Sequence, residues 1–328
     1  MLFMPPAPPI VEVAAAIITR NDGSFLLARR PEGKPYAGYW EFPGGKVNPG
    51  EPLLHALKRE LLEELGIHVK HAYPWIVRAF TYPHATVRLH FYRVLEWHGE
   101  PHPYEDQGLS WQLANNVSVE PLLPANAPVL HALDLPPVYG ITNAAEWGPK
   151  VAAARIEYAL QKGLRLLQLR EKGIQDKTLD TFTREVTTLA HHYGARILVN
   201  SGTGNAGFCH EFGMDGIHFT SADLMHLSKR PDVEWCGASC HNAEELFRAE
   251  QLEMDFAVLA PVLPTSSHPD SPALGWRKFA RLIHGSSIPV YALGGLGSED
   301  LAIAWEHGAH GLALMRRIGQ ARDTGQEA

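Results

Sequence analysis

Little in this 328-residue chain could staple it, anchor it or thread it through a bilayer. It has three cysteines, Cys209, Cys236 and Cys240, an odd number at irregular spacing. That excludes a disulfide framework and a C-x-x-C site, and suits thiols kept reduced in a cytosol. No run of about 18 apolar residues occurs, so no membrane span is expected. The opening stretch MLFMPPAPPIVEVAAAIITR has no basic segment ahead of its apolar part and is broken by prolines, so no signal peptide is expected. The expected location is therefore cytoplasmic. Basic residues are also in deficit: Lys+Arg 29 against Asp+Glu 36 leaves a net charge of −7. A long nucleic-acid backbone needs a basic footprint, so polymeric nucleic acid is not an expected partner. A single nucleotide remains an admissible ligand, because a metal ion can offset its phosphate charge. The eighteen histidines show no H-x-x-x-H spacing on an expected helix with a nearby acid, so they read as surface and packing residues.

What is present is ordinary globular material, 45% hydrophobic and 20% charged. At about 150 residues per domain the length suggests two domains, each large enough to bury its own core. The run V-E-V-A-A-A-I-I-T reads as a strand, N-D-G-S as a turn, and F-L-L-A-R-R as its hairpin partner. A Gly/Pro loop follows, then a helix over 52–65. Its Leu53, Leu57, Leu61 and Leu65 repeat every four residues, and Gly66 stands where a C-terminal cap belongs. Strands are expected at 73–81 and 86–96, and a last helix near 126–133. The segment Asp134-Leu-Pro-Pro-Val138 is the best boundary, giving domains 1–133 and 139–328 with 134–138 as linker. Beyond it, short apolar runs alternate with amphipathic helices eight times: VYGIT, LRLLQL, RILVN, GIHF, CGAS, FAVLAPVL, PVYALGG and GLALM each open one unit. Repeated βα units imply a parallel sheet, and eight suggest a closed (β/α)₈ barrel. The fold class is α/β throughout.

The chemistry is densest on the first helix. Glu60, Glu63 and Glu64 stand at i, i+3 and i+4 and share a helical face. Clustered carboxylates repel one another until a cation arrives, and hard oxygen donors suit Mg²⁺ or Mn²⁺. The Gly44-Gly45 turn lets backbone approach a ligand closely, and Arg59 can hold a carboxylate in a bidentate fork.

Gly45-x5-Glu51-x7-Arg59-Glu60-Leu61-x-Glu63-Glu64-x-Gly66-Ile67 is a complete Nudix box. Residues 11–133 resemble the MutT-type Nudix hydrolases, the 8-oxo-dGTP diphosphatases. The flank Trp40-Glu41-Phe42-Pro43-Gly44-Gly45-Lys46, the pair Arg29-Arg30 and the turn Pro124-Ala125-Asn126-x-Pro128-Val129 match as well. The resemblance implies an α/β/α sandwich that hydrolyses oxidised purine nucleoside triphosphates to monophosphate and pyrophosphate with Mg²⁺ or Mn²⁺. It implies metal binding by the Gly44 carbonyl and Glu64, with Glu60, Glu63 and Glu105 as further ligands or proton acceptors. It implies nucleotide contacts from Arg30 and the Glu41–Gly44 segment, including Phe42 and Pro43, and purine-edge reading by Asn126. Asn offers both a donor and an acceptor, which suits that reading. Taken alone, an Asn in P-A-N-x-P is more often a turn or cap residue, and the rings of Trp40 and Phe42 could stack on a base or fill the core. One departure is Ala85, where the family has a nucleotide-contacting Arg.

Residues 137–318 resemble the thiamine phosphate synthase and TenI group of small barrels. Gln168-Leu-Arg170-Glu-Lys172 matches that group's pyrophosphate-binding Q-x-R-x-K. Asn200, Asp223, Ser239, His241 and the pair Gly294-Gly295 fall at the ends of later strands, where the resemblance implies ligand contacts. Three positions depart: Ser201 replaces a magnesium-binding Asp, His268 replaces a Lys, and Met315 replaces a phosphate-binding Ser. The resemblance therefore leaves three readings open: a thiazole tautomerase using His241, a ligand-binding remnant that serves as a sensor, or a weakened synthase. The expected ligand is a phosphorylated thiazole or a thiamine-related molecule. A Nudix unit acting on thiamine-pathway diphosphates would make the chain bifunctional in one pathway.

Overall fold

The computed structural model describes residues 10–319 apart from 84, 106, 175 and 266–271. The chain divides into two compact units, with the change at Asp134/Leu135.

The first unit is built from β1 (Ile10–Ile18), β2 (Phe25–Arg29), β3 (Trp40–Glu41), β4 (Gly44–Lys46), α1 (Leu53–Leu65), β5 (His68–Thr81), β6 (Thr86–His98), β7 (Gly108–Gln112) and α2 (Ala127–Leu133). A four-stranded sheet runs β4-β1-β6-β5 and a three-stranded one β3-β2-β7. β1 sorts its side chains by parity. Ala14, Ala16 and Ile18 pack with Leu57, Leu61 and Leu65 of α1, while Ala15 and Ile17 pack with Val129 and Ala132 of α2. One strand buried on both faces between two helices is the middle layer of an α/β/α sandwich. Leu57, Leu61 and Leu65 are fully buried. Each contributes about 1.5–3 kcal/mol of apolar burial, so they anchor the helix that carries the carboxylates.

The hairpin expected between β1 and β2 does not form. The turn does close, with the Arg20 N–H donating to the Ser24 carbonyl and a single bridge at Thr19–Phe25. The strands then part into different sheets, because both edges of β1 are already paired, antiparallel with β4 and parallel with β6. The Gly/Pro loop after β2 also contains two short strands, β3 and β4. They escape the pattern because two or three residues cannot show a period.

The second unit is a closed barrel of eight parallel strands: β8 (Val138–Ile141), β9 (Leu166–Leu169), β10 (Arg196–Asn200), β11 (Gly216–Phe219), β12 (Trp235–Cys240), β13 (Phe256–Leu259), β14 (Val290–Leu293) and β15 (Gly311–Leu314). Alternation again divides the residues. Tyr139, Leu166, Leu198, Trp235, Phe256 and Tyr291 fill the interior, while their neighbours face the surrounding helices. The helix expected at 147–162 forms as Pro149–Gln161, and a separate short helix, Ala144–Trp147, precedes it, the two parted by Gly148 at φ 78° and by Pro149, which suits a first turn.

Candidate functional site

In the first unit, α1 ends cleanly at Gly66, whose φ of 67° puts it in the left-handed cap conformation. The helix points Arg59 back to the preceding loop. Arg59 Nε and Nη2 form a fork on Glu51 at 2.9 and 2.8 Å, and Nη2 also donates to the Lys46 carbonyl at 3.1 Å. Nη1 reaches Glu60 at 2.7 Å and Glu63 at 3.3 Å. Hydrogen bonding from Arg59 holds the Glu51 carboxyl down at about 2. Glu60 lies directly over Gly45, where any Cβ would overlap its carboxylate. Gly44, at φ 141°, presses equally closely on the Ala14 carbonyl of β1.

Glu64 faces the other way, into a small cleft bordered by Arg30, Lys34, Glu41, Gly44, Glu105 and Gln107. The cleft is held by local bonds. Gln107 Nε2 donates to the Glu64 carbonyl at 3.0 Å and its Oε1 accepts from the Glu105 N–H at 2.8 Å, which seats the loop on the helix end. Lys34 Nζ donates to Glu105 at 2.6 Å. Arg30 grips both oxygens of Glu41 at 2.5 and 2.7 Å. Burial raises the Glu64 carboxyl to about 7, and the charges of Glu105, Glu60 and Glu41 push the same way against Lys34. Burial also raises Glu41, against the pull of Arg30.

Of the expected residues, the fold brings Arg30, Glu41, Phe42, Pro43, Gly44, Glu64 and Glu105 to this cleft. Glu60 and Glu63 stay on Arg59, and the Glu63 side chain is 58% exposed. The Phe42 ring belongs to the core, with its centroid 5.7 Å from those of Phe25 and Phe91. Among the described residues no three His, Cys, Asp or Glu side chains converge to hold a metal ion as they stand. The donor set nevertheless fits a hard divalent cation. A half-buried carboxylate surrounded by three others is electrostatically under-compensated, and added positive charge is what relieves it.

Asn126 sits in the 3₁₀ turn Pro124–Asn126 that leads into α2. Pairing of Trp40 with Pro121 and Leu123 carries that turn alongside β3. Asn126 is 3% exposed, makes no side-chain cap bond, and its Nδ2 has no hydrogen-bond partner. Asn126 thus occupies the turn and the N-cap position of α2, but its side chain caps nothing. A buried unmade donor costs about 1–3 kcal/mol, the kind of debt a ligand can settle. Tyr82, whose hydroxyl feels both the Glu41 charge and the Ala125 backbone, lies between this turn and the cleft. Lys34, Tyr82 and Gln107 were not readable from the sequence, because each sits in a loop or strand end with no motif around it. A larger groove of about 640 Å³, lined by Glu12, Asn48, Arg88 and His90 among others, shares none of the cleft's residues.

In the barrel, the expected residues divide into buried and accessible groups. Gln168 and Asn200 are 1% and 2% exposed and bond to each other inside the barrel. Arg170 is half-buried, its N–H donating to Thr142 Oγ1 at 3.0 Å, and Lys172 is exposed. Gly294 and Gly295 have φ of 111° and 67° where the chain crowds Pro261 and Pro264. His241 bonds Glu245 through both its N–H, at 2.6 Å, and its ring Nδ1, at 3.0 Å. Asp223 is already satisfied: its Oδ2 accepts from Ser201 Oγ at 2.5 Å and Thr220 Oγ1 at 2.7 Å. Those bonds hold its carboxyl below the usual range. The Ser201 hydroxyl also accepts from the Thr220 N–H. Among the described residues expected at the barrel mouth, Asp223 is committed to Ser201 and Thr220 and the neighbouring Glu171 carboxylate to the Ala144 and Ala145 N–H groups, so a barrel Mg²⁺ site does not fit this arrangement. His268 lies outside the described residues.

Comparison with known proteins gives two family matches. Residues 138–318 match the thiamine monophosphate synthase family and residues 9–133 the NUDIX domain. An 8-oxo-dGTP diphosphatase of Haemophilus influenzae is 42% identical over 124 residues, 38% of this chain and 91% of the relative. A CTP pyrophosphohydrolase of Escherichia coli is 42% identical over 129 residues, 38% of this chain and 90% of the relative. A thiamine-phosphate synthase of Desulfitobacterium hafniense is 30% identical over 191 residues, 57% of this chain and 90% of the relative.

Proposed function

The chain belongs to the Nudix family through residues 9–133 and to the thiamine monophosphate synthase family through residues 138–318, and from that premise we propose that it is a nucleoside-triphosphate pyrophosphohydrolase selective for oxidised purines, carrying a phosphate-binding barrel. The reaction releases a monophosphate and pyrophosphate. Glu64, Glu105, the Gly44 carbonyl, Glu60 and Glu63 are the groups that would hold Mg²⁺ or Mn²⁺. When bound, the cation neutralises charge on the triphosphate and activates water. Arg30, fixed by Glu41, presents a cation at the cleft wall. Glu64, whose carboxyl burial raises to about 7, would hold its proton less tightly once positive charge occupied the cleft.

Relatives of equal identity act on different nucleotides, so identity does not choose the base. The observation that carries the choice is the buried, unpartnered Nδ2 of Asn126. An amide fixed beside a base pairs with a purine edge through a donor and an acceptor together. Purified protein assayed with 8-oxo-dGTP, dGTP and CTP in Mg²⁺ should give the highest kcat/KM for 8-oxo-dGTP. A preference for CTP would overturn the reading.

For the barrel, the intact Gln168-x-Arg170-x-Lys172 supports binding of a phosphorylated ligand, and the commitment of Asp223 to Ser201 and Thr220 argues against Mg²⁺-dependent synthesis. A ligand-binding or sensor role is the reading this favours. A bifunctional enzyme of thiamine-type diphosphates is the alternative. Calorimetry with each thiamine precursor, beside a coupled synthesis assay, separates them: binding without turnover supports the first, and robust Mg²⁺-dependent synthesis the second.

A further inference from the structure

Inside the barrel, five polar side chains form one continuous line. Asn200 Oδ1 accepts from the Gly202 backbone N–H at 3.0 Å. This fixes the amide, so Asn200 Nδ2 is the donor to Gln168 Oε1 at 3.1 Å. Gln168 Nε2 then donates to the Tyr139 hydroxyl at 3.0 Å. Tyr139 OH lies 3.2 Å from His218 Nδ1, and His218 Nε2 lies 2.9 Å from Ser239 Oγ. Gln168, Tyr139, Asn200 and His218 are all nearly or fully buried. Gly237 makes the room: a Cβ there would lie 2.6 Å from His218 Nδ1.

The two ends of this line are unequal. A backbone N–H cannot be reversed, so direction is set at Gly202 and passes upward. Because Tyr139 already accepts from Gln168, its own hydrogen goes to His218 Nδ1. His218 is then protonated on Nε2 and donates to Ser239. The reverse tautomer would leave the buried Tyr139 hydrogen with no acceptor, which disfavours it by roughly tenfold or more. An imidazolium is excluded on separate grounds, since burial and the nearby Arg170 charge press the ring down to about 3. Ser239 stands at the C-terminal end of β12, partly exposed, at the end of a barrel where ligands bind. With its oxygen accepting from His218, its hydrogen is left for the mouth.

We infer that the barrel presents Ser239 to its ligand as a hydrogen-bond donor whose direction is imposed by the buried relay Gly202–Asn200–Gln168–Tyr139–His218, and that the ligand meets it with an acceptor atom, an unprotonated ring nitrogen or a phosphoryl oxygen. His218 is a positioning residue: it acts through Ser239 and does not serve as a base. The ligand half of this inference rests on reading the barrel mouth as a binding site, and the tautomer half does not.

The test is nitrogen NMR of the full-length protein labelled with ¹⁵N-histidine. The His218 resonances are assigned by their loss in His218→Gln or, should that variant not fold, by their shift in Ser239→Ala. A ring protonated on Nε2 and bare on Nδ1 at pH 7 is expected, and Tyr139→Phe should shift Nδ1 toward its unbonded position. A ring protonated on Nδ1 overturns the relay. Inorganic phosphate and 4-aminopyrimidine are then titrated separately. At least one should perturb the Nε2–H signal, with affinity about tenfold weaker in Ser239→Ala and retained in Ser239→Thr. The responding probe tells phosphoryl oxygen from ring nitrogen. The correct tautomer with no response from either probe would overturn the ligand contact and leave the relay standing.

Discussion

Glu64 in the Nudix cleft and Asp223 in the barrel are both acids at sites where phosphate is expected, yet they sit in opposite electrostatic states. Glu64 is half-buried among Glu105, Glu60 and Glu41 and is driven up to about 7. Asp223 is largely open, receives two hydroxyl hydrogen bonds and is driven down. The first carboxylate is buried among other acids; the second already receives two hydroxyl donors. Counting acids in a motif does not separate the two. What separates them is whether neighbours already donate to the carboxylate, as the hydroxyls of Ser201 and Thr220 do for Asp223.

The contrast is broken most severely at Glu64. Glu64→Gln keeps the shape of the cleft and removes its charge, so kcat for triphosphate hydrolysis should fall about 10²-fold or more in saturating Mg²⁺. Near-normal turnover would remove Glu64 from the site.

The same variant should be more stable without metal. In the folded chain Glu64 keeps its proton up to about pH 7, while unfolded it loses it near 4.5. The folded state therefore loses stability as pH rises from about 4.5 to 7, and the full penalty stands above 7. Discounted for partial solvent access, that penalty is about 2 kcal/mol. Thermal melts in EDTA at pH 8 should place Glu64→Gln several degrees above wild type, with the gap closing toward pH 4.5. Added Mg²⁺ should stabilise wild type and not the variant. Equal melting at both pH values would show that Glu64 is not strained.

Asn126→Ala should act on selectivity and leave the chemistry. Losing a two-point contact to the base should lower the kcat/KM ratio of 8-oxo-dGTP over dGTP by roughly tenfold. An unchanged ratio would place the base elsewhere.

The smallest effect sharpens the comparison by making the barrel resemble the cleft. Ser201→Asp sets a second carboxylate against Asp223 and removes one of its donors. Without metal it should destabilise the protein by about 1 kcal/mol, and in the Glu64→Gln background, where Mg²⁺ leaves the Tm unmoved, adding Ser201→Asp should make the Tm rise with Mg²⁺. A variant indifferent to Mg²⁺ would mean that more than one group is missing.

Much of the architecture was legible because its signals are periodic. The four-residue Leu repeat gives α1 almost to the residue, and the eight apolar runs give the eight barrel strands. The β1–β2 pairing was not legible, since a turn signal reports a reversal and not which strands fill the edges of β1. At the site, Glu60, Glu63 and Glu64 could be placed on one face, but not the split that sends two to Arg59 and one to the cleft. That split depends on Glu51, eight residues away from Arg59, and on the loop that brings it back. Lys34 and the relay from Asn200 to Ser239 are assembled across loops and strands far apart in sequence, where no spacing rule applies.

Arg59 has a further consequence. All five of its N–H bonds are in use, three of them on the loop through Glu51 and the Lys46 carbonyl and two on the helix through Glu60 and Glu63. Either helix carboxylate can therefore swing away without unfastening the loop, because the fork on Glu51 still holds the guanidinium. Loading the site is thus a change of partners on a fixed frame. The ordering entropy of loop and helix is lost at folding, before any nucleotide arrives, and little remains to be spent at each turnover.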